Sequence, residues 1–382
     1  MFSEHISTEV ILFFILYGIT GVVPLIAAVY LLLRRSNAFA PEVSPPVRLR
    51  RWTAVFFAVA ALGHVWWYLF YILCGDINSA CYVVVVILDC VALLTTIAGT
   101  LLAMLQDRPR PIWPAFAAMV PFLVLGALHI FYPDGPFMDI AAIYILALYV
   151  LFSMYMVFAV RTYGRWLNDN YADLENKKVW LSQVVSFFCL LLFILYALVD
   201  TDSILIYVLH IVELVLFGLL LWRVETLPSL TTEMGDGSEC SQDCNSTDDL
   251  SISLSSREGQ GGGTATIDLE QIERLLKEHC VDKQLYLQHD LSLQQLAQAV
   301  GTNRFYLSQY FSRHSITYNT YINNLRINHF INCYEEAVAA RQPVSAKQLA
   351  HESGFRSYRT FSRAFMQRIG HSVTTWIDQS TE

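Results

Sequence analysis

Residues 291–313 read LSLQQLAQAVGTNRFYLSQYFSR, and residues 345–369 read SAKQLAHESGFRSYRTFSRAFMQRI. The two stretches align. Leu296-Ala297, Gly301, Leu307-Ser308 and Phe311 in the first correspond to Leu349-Ala350, Gly354, Phe361-Ser362 and Phe365 in the second, whose turn carries one extra residue. Each predicts two short helices joined by a tight turn. Ser292 predicts the N-cap of a helix over 293–300, and Asn303 that of a helix over about 304–313. Ala297 is small where the paired helices must cross closely, and Gly301 supplies a turn in which positive φ costs little. Leu307 and Phe311, four apart, make an apolar back. Arg304, Phe305, Ser308, Gln309 and Arg313 are left on the front, with hydrogen-bonding groups near the N-terminus, as a helix that reads a DNA groove requires.

The second copy repeats this logic. Ser345 caps, Leu349 and Ala350 pack, and Gly354-Phe355 turn. A helix from about 357 buries Phe361 and Phe365 and exposes Tyr358, Arg359, Ser362, Arg363 and Arg368. Between the copies a long helix is predicted over about 319–340, with Tyr321, Ile322, Leu325 and Ile331 among its apolar positions; it would hold the two units rigidly apart. Upstream, Asp268 predicts the N-cap of a helix reaching about Cys280, with Leu269, Ile272, Leu275 and Leu276 on its apolar face. Residues 291–376 hold nine arginines and lysines against three acids, a net +6 that suits a polyanion and the release of its counterions.

The rest of the chain is of another kind. The mean hydropathy is +0.42 and charged residues make up 15% of 382, too apolar for an ordinary soluble protein. The apolar residues crowd into 1–227 as seven stretches, at about 9–33, 52–74, 80–105, 112–132, 137–161, 179–200 and 203–223. Each is near the ~20 residues that cross the hydrocarbon core as a helix, the one single-segment form that satisfies its own backbone there. The expected fold class is therefore all-α: a seven-helix transmembrane bundle over 1–227, followed by a soluble all-α domain over 267–382 with two helix-turn-helix units.

The loop charges give an orientation. All twelve basic residues before 228 fall in the 34–51, 106–111 and 161–178 loops or at Arg223, while the intervening loops carry acids such as Asp76, Asp134, Asp200 and Asp202. The basic side is read as cytoplasmic. This puts the N-terminus outside and the C-terminal domain inside a bacterial cytoplasmic membrane, with the lipid bilayer as one partner. Residues 228–266, with seven acids against Arg257 and the run Gly261-Gly262-Gly263, are read as a flexible acidic linker too polar to fold alone.

Polar groups inside spans are expensive and mark candidate sites. His64, Asp89, His210 and Glu213 come from spans two, three and seven, yet rise counting at ~1.5 Å per residue puts all four roughly 10–15 Å below the outer boundary. They are read as a pocket for an unknown small-molecule ligand. Interhelical hydrogen-bond glue is the competing reading. A zinc site formed by His64, Asp89 and His210 is a further alternative, although no metal centre and no cofactor is expected. Cys74 and Cys81 flank a short outer loop, where a disulfide or two unpaired thiols would both fit. No Ser/His/Asp set, P-loop or dinucleotide fingerprint occurs, so catalytic residues are not expected and the chain is read as a non-enzyme.

The C-terminal pattern is specific as a set. Leu296-Ala297…Gly301 with Tyr306-Leu307-Ser308…Phe311, then Tyr321…Leu325-Arg326-Ile327, Leu349-Ala350…Gly354-Phe355 and Phe361-Ser362-Arg363…Phe365…Gly370 together resemble the AraC/XylS family of bacterial transcription regulators, over about a hundred residues. The resemblance implies two recognition helices from one monomer set in adjacent major-groove segments of double-stranded DNA. Phe305, Ser308 and Gln309 would reach base edges from the first, and Tyr358, Arg359 and Arg363 from the second. It also implies RNA polymerase as a partner and allows a homodimer. Three positions depart from the family pattern: Ile316 where a glycine is usual, Phe330 where a small residue is usual, and Val373 where a proline is usual. The N-terminal part does not resemble the soluble sugar-binding domain common in that family. The expectation is a membrane-bound, sequence-specific regulator that transduces an external or membrane signal. Two alternatives remain: a membrane enzyme, such as an intramembrane metal hydrolase with an autoregulatory DNA-binding domain, and a regulator whose spans are only an anchor.

Overall fold

A computed structural model describes residues 8–34, 36–76, 79–174, 177–180, 205–230, 269–343 and 345–381, with positions 182, 184, 185, 187 and 188. These residues are almost wholly helical and form two compact units. Most of the sixth predicted span and of the linker, including its glycine run, and Asp268 lie outside the described residues.

The first unit contains α1 (Thr8–Leu33), α2 (Val47–Leu73), α3 (Ala80–Ala103), α4 (Trp113–Phe131), α5 (Phe137–Asn170, up to Leu167) and α6 (Leu205–Thr226). All six are long and apolar enough to cross a membrane. They match six of the seven predicted spans, with two differences in length. The second begins at Val47 rather than about 52, and the fifth continues to Asn170 rather than ending near 161. Hydropathy marks where a helix leaves hydrocarbon, whereas backbone hydrogen bonding can continue beyond it.

α1 packs on α2, α2 on α3 and α3 on α4; α4 meets α5 through Met119, Phe122, Ala141 and Ile145, and α6 returns to α1 and α2. Most large apolar side chains face outward. Leu73 is 76% exposed and Phe131 77%, with Phe14, Val55, Leu62 and Phe158 similarly placed. In water such a surface would drive aggregation; against lipid it costs nothing. Where α1 and α6 end, Arg34 pairs with the fully buried Glu225 at 2.5 Å, and Tyr30 and Asn37 add hydrogen bonds to Glu225.

The second unit joins residues 168–173 to the C-terminal region. It holds α7 (Leu269–Leu276), which runs on as a π-helical turn over Lys277–Asp282, then α8 (Leu293–Val300), α9 (Arg304–Arg313), α10 (Tyr318–Ala339), α11 (Ala346–Glu352), α12 (Tyr358–Ile369) and α13 (Val373–Thr381). Two cores share the connecting helix α10. Its N-terminal half places Tyr318 and Ile322 among Ile272, Leu276, Leu296, Ala297, Leu307 and Phe311. Its C-terminal half places Ile327 and Phe330 among Ala350, Phe355, Phe361 and Phe365. The predicted rigid spacer thus also contributes side chains to both cores.

Arg326 sits at the crossing, 1% exposed. Its Nε donates to Tyr286 O at 2.7 Å, and its Nη2 donates to Gln288 O at 2.5 Å and His289 O at 3.2 Å. Its guanidinium lies 5.6 Å from the Phe355 ring centroid. Burial pushes its pKa down to about 10, which leaves it charged at neutral pH and committed to those carbonyls.

Candidate functional site: the nucleic-acid interface and the polar cluster

Each helix of the first helix-turn-helix starts and stops on identifiable local chemistry. Ser292 accepts from Gln295 N while the Gln295 side chain accepts from Ser292 N, a reciprocal capping box. Gly301 ends α8 at φ 74°, with Thr302 N bonded to Ala297 O and Gly301 N to Gln298 O. Asn303 Oδ1 then accepts from Tyr306 N to start α9. In the second unit Ser357 caps α12 through Thr360 N. Ser345 stands at the N-cap of α11, but its side chain makes no capping bond.

The two recognition helices present the faces that the sequence predicts. Leu307, Tyr310 and Phe311 are buried on α9, while Arg304, Phe305, Ser308, Gln309 and Arg313 are exposed. Phe305 is 69% exposed, an aromatic that the domain's own core does not use. On α12, Phe361 and Phe365 are fully buried, Tyr358, Arg359 and Arg363 are exposed, and Ser362 is half-buried. Arg368 behaves differently from its neighbours. It reaches back to Asn324 O and the Asn328 side chain on α10, and burial lowers its pKa. It is a tie to the connecting helix, a role the helical pattern could not assign.

The three departures from the family pattern find physical explanations. After α9 the left-handed residue is Ser315 (φ 55°), and Ile316 follows it, its N–H bonded to Phe311 O and its side chain packed on the first core. That is the hydrophobic partner position of a Schellman ending. Phe330 packs against Phe361 in a tilted pair with ring centroids 4.5 Å apart and also meets Phe365 and Trp376. Val373 is 2% exposed in the same core. A larger aromatic cluster thus replaces the usual small residue.

Residues 168–173 escaped the sequence reading altogether. Ala172 is 1% exposed within the first core, and Tyr171 forms an antiparallel bridge with Ser292. Asn319 Nδ2, on the first turn of α10, donates to Tyr171 O at 3.0 Å and Ala172 O at 2.6 Å.

In the first unit the structure brings together three of the four predicted polar residues. His64 (α2) and His210 (α6) have ring centroids 6.5 Å apart, and His210 Nδ1 lies 3.6 Å from Glu213 Oε2. Donor atoms of His64, His210 and Glu213 all lie within 4.8 Å of one another. His64 Nδ1 lies 3.0 Å from Ala60 O and Nε2 lies 2.9 Å from Thr20 Oγ1. Tyr17 donates to His64 O at 2.8 Å, and its ring centroid is 4.8 Å from that of His64. Gly21 makes this approach possible, since a Cβ there would meet His64 Cβ at 3.3 Å. The fourth residue, Asp89, accepts from Trp66 Nε1 at 3.2 Å. Tyr17 and Thr20 were not foreseen; three apart on α1, they face His64 together. Cys74 and Cys81 are free thiols.

Among known families, a model described as a helix-turn-helix domain matches residues 296–379. No curated protein and no solved structure matches the chain. The match covers α9 to α12 in full and parts of α8 and α13. Residues 296–379 are an AraC-type helix-turn-helix region, of the class that binds double-stranded DNA in transcription regulators. The six apolar helices before it are compatible with a multi-pass membrane protein.

Proposed function

We propose that this chain is a membrane-embedded, sequence-specific transcription regulator, a one-component transducer in a bacterial cytoplasmic membrane, and not an enzyme. The observation that carries this reading is the pairing of two exposed recognition faces on one shared helix with a run of outward-apolar helices in the same chain. The charge sorting of the loops supports a DNA-binding domain on the cytoplasmic side. Arg304, Phe305, Ser308, Gln309 and Arg313 on α9, and Tyr358, Arg359, Ser362 and Arg363 on α12, form the DNA face.

His64, His210 and Glu213, with Asp89 beside them, form the sensing site. A ligand there can act only by binding one conformation better than another. Residues 168–173 are the natural route for the response, because they follow the apolar part of α5 in the chain and belong to the first core of the DNA-binding unit. The test is chromosome-wide mapping of the native protein, followed by footprinting of the full chain in lipid on the enriched promoters. A protected site spanning two adjacent major-groove segments is expected. Binding to those fragments no tighter than to random duplex at physiological salt would overturn the reading.

A further inference from the structure

We propose that His64, His210 and Glu213 form a site for a zinc-class divalent cation. This deepens the sensing role proposed above and rests on it only for its biological use. The donor set is two imidazoles and one carboxylate, a set that holds zinc tetrahedrally with a fourth position left open. Their donor atoms lie within 4.8 Å of one another, against the roughly 3.4 Å between ligands that metal–ligand bonds of ~2.1 Å impose. The remaining closure is within the rotamer freedom of a glutamate and two histidines, all three half-buried rather than locked in a core.

The hydrogen bonds at His64 point the same way. Ala60 O can only accept, so the neutral ring carries its proton on Nδ1 and leaves the Nε2 lone pair as the one available to a cation. A ligating histidine is usually oriented by this kind of bond from its other nitrogen. In the metal-free chain the Thr20 hydroxyl lies 2.9 Å from Nε2 and satisfies it. The same hydroxyl is within reach of Leu16 O at 3.1 Å and Tyr17 O at 2.9 Å. Its proton can therefore pass to a waiting acceptor when a cation takes the lone pair, while a turn of the Thr20 side chain takes the oxygen off the Nε2 axis. Pro24 adds room for adjustment, because it has no N–H to give the Thr20 carbonyl one turn earlier. Asp89 is not needed as a ligand, since Trp66 holds it. Two neutral imidazoles and one carboxylate leave a bound dication with one net positive charge, which an anionic or water-derived fourth ligand would balance.

The experiment uses the full chain in lipid nanodiscs, purified through a tag without histidines, and titrated with Zn2+ alone. One Zn2+ per chain is expected to survive dialysis. His210→Ala and Glu213→Gln should each weaken binding by about 100-fold or more, and Asp89→Asn should retain it. Thr20→Val should bind as well as wild type or a few-fold better, a result that mere helix–helix glue would not give. Wild-type protein holding no more zinc than the double variant His210→Ala/Glu213→Gln overturns the proposal, as does Asp89→Asn losing zinc as fully as Glu213→Gln. A promoter reporter read with and without a chelator separates the two layers. Bound zinc with unchanged output sinks the sensing role and leaves the site standing; a zinc-free protein whose output still depends on His64 does the reverse.

Discussion

Asn319 Nδ2 donates to Ala172 O at 2.6 Å, across 147 positions of sequence. The same amide donates to Tyr171 O at 3.0 Å, while Asn319 Oδ1 accepts from Asn323 Nδ2 at 3.1 Å. One side chain therefore fastens the 168–173 segment to the start of the helix that both DNA-reading units share. Asn319→Ala removes both hydrogen bonds to the segment together with the one accepted from Asn323, and leaves two carbonyls short, a loss of about 1–3 kcal/mol in the docking of that segment. Amide exchange at Ala172, whose N–H lies 3.4 Å from Leu291 O, should speed up about 10-fold or more, with exchange in α12 unchanged. Equal loss of protection in both places would mean that the segment has no separate opening.

Arg326 ties the 286–289 segment to α10 through three carbonyls. Arg326→Leu would leave the buried Tyr286 carbonyl and the part-buried Gln288 and His289 carbonyls without this donor and remove the contact with Phe355. We expect a loss of roughly 3 kcal/mol or more, and Arg326→Lys to recover only part of it, because a single ammonium cannot match the fork geometry. Urea unfolding of residues 269–381, joined to the 168–173 segment by a linker, measures both.

The thiol of Cys280 is fully buried in the first core, and burial pushes its pKa up to about 12 from an ordinary value near 9. The folded form therefore keeps its proton where the unfolded chain loses it. Its contribution to stability is complete below about pH 9 and disappears as the pH rises towards 12. Native protein at pH 8 should leave Cys280 unalkylated while half-exposed Cys333 reacts, with peptide mass spectrometry distinguishing the two. Cys280 labelling at the rate of Cys333 would contradict the buried placement.

The legible features were the local ones. Ser292 and Asn303 cap helices through atoms three residues away, so sequence alone could place α8 and α9 to within a residue; in the second unit the expected cap Ser345 makes no such bond, and the cap that sequence reasoning missed is Ser357. The shared level of His64 and His210 followed from helix rise. Which carboxylate joins them did not, because depth says nothing of helix rotation: Asp89 turns to Trp66 and Glu213 to His210. The roles of Ala172, Asn319, Arg326 and Arg368 depend on partners 37 to 148 positions distant, and no periodicity reports such pairings.

Gly354 and Gly301 occupy the same place in the two helix-turn-helix units but should not tolerate change equally. Both have positive φ, 89° and 74°. A Cβ on Gly301 would meet nothing within 4 Å, so Gly301→Ala carries only the left-handed penalty of about 1–2 kcal/mol. A Cβ on Gly354 would lie 2.7 Å from Leu287 O and 2.9 Å from Leu287 Cα, which are backbone atoms and cannot step aside. Gly354→Ala should cost at least ~2 kcal/mol more than Gly301→Ala, measured as the difference in unfolding free energy. Equal losses would show that the 285–289 segment yields.

Arg363 and Arg368 lie on one helix, five residues apart, and carry the same charge, yet the structure gives them different work. Arg363 is exposed on the face of α12 that fronts DNA in the proposed reading, whereas Arg368 is spent on Asn324 and Asn328 of α10. Arg363→Ala should therefore weaken binding to the mapped promoter site by about 1–3 kcal/mol, relax discrimination at one base pair, and leave the unfolding midpoint unchanged. Arg368→Ala should lower the unfolding midpoint while the ratio of specific to non-specific binding stays the same, because a tie between α12 and α10 supports both recognition helices and reads no base. The two variants are compared on the same fragments at fixed salt, since phosphate contacts alone would shift both affinities together. An Arg363→Ala footprint identical to wild type would remove that residue from the reading face, and a specificity change in Arg368→Ala would place its guanidinium in the groove instead.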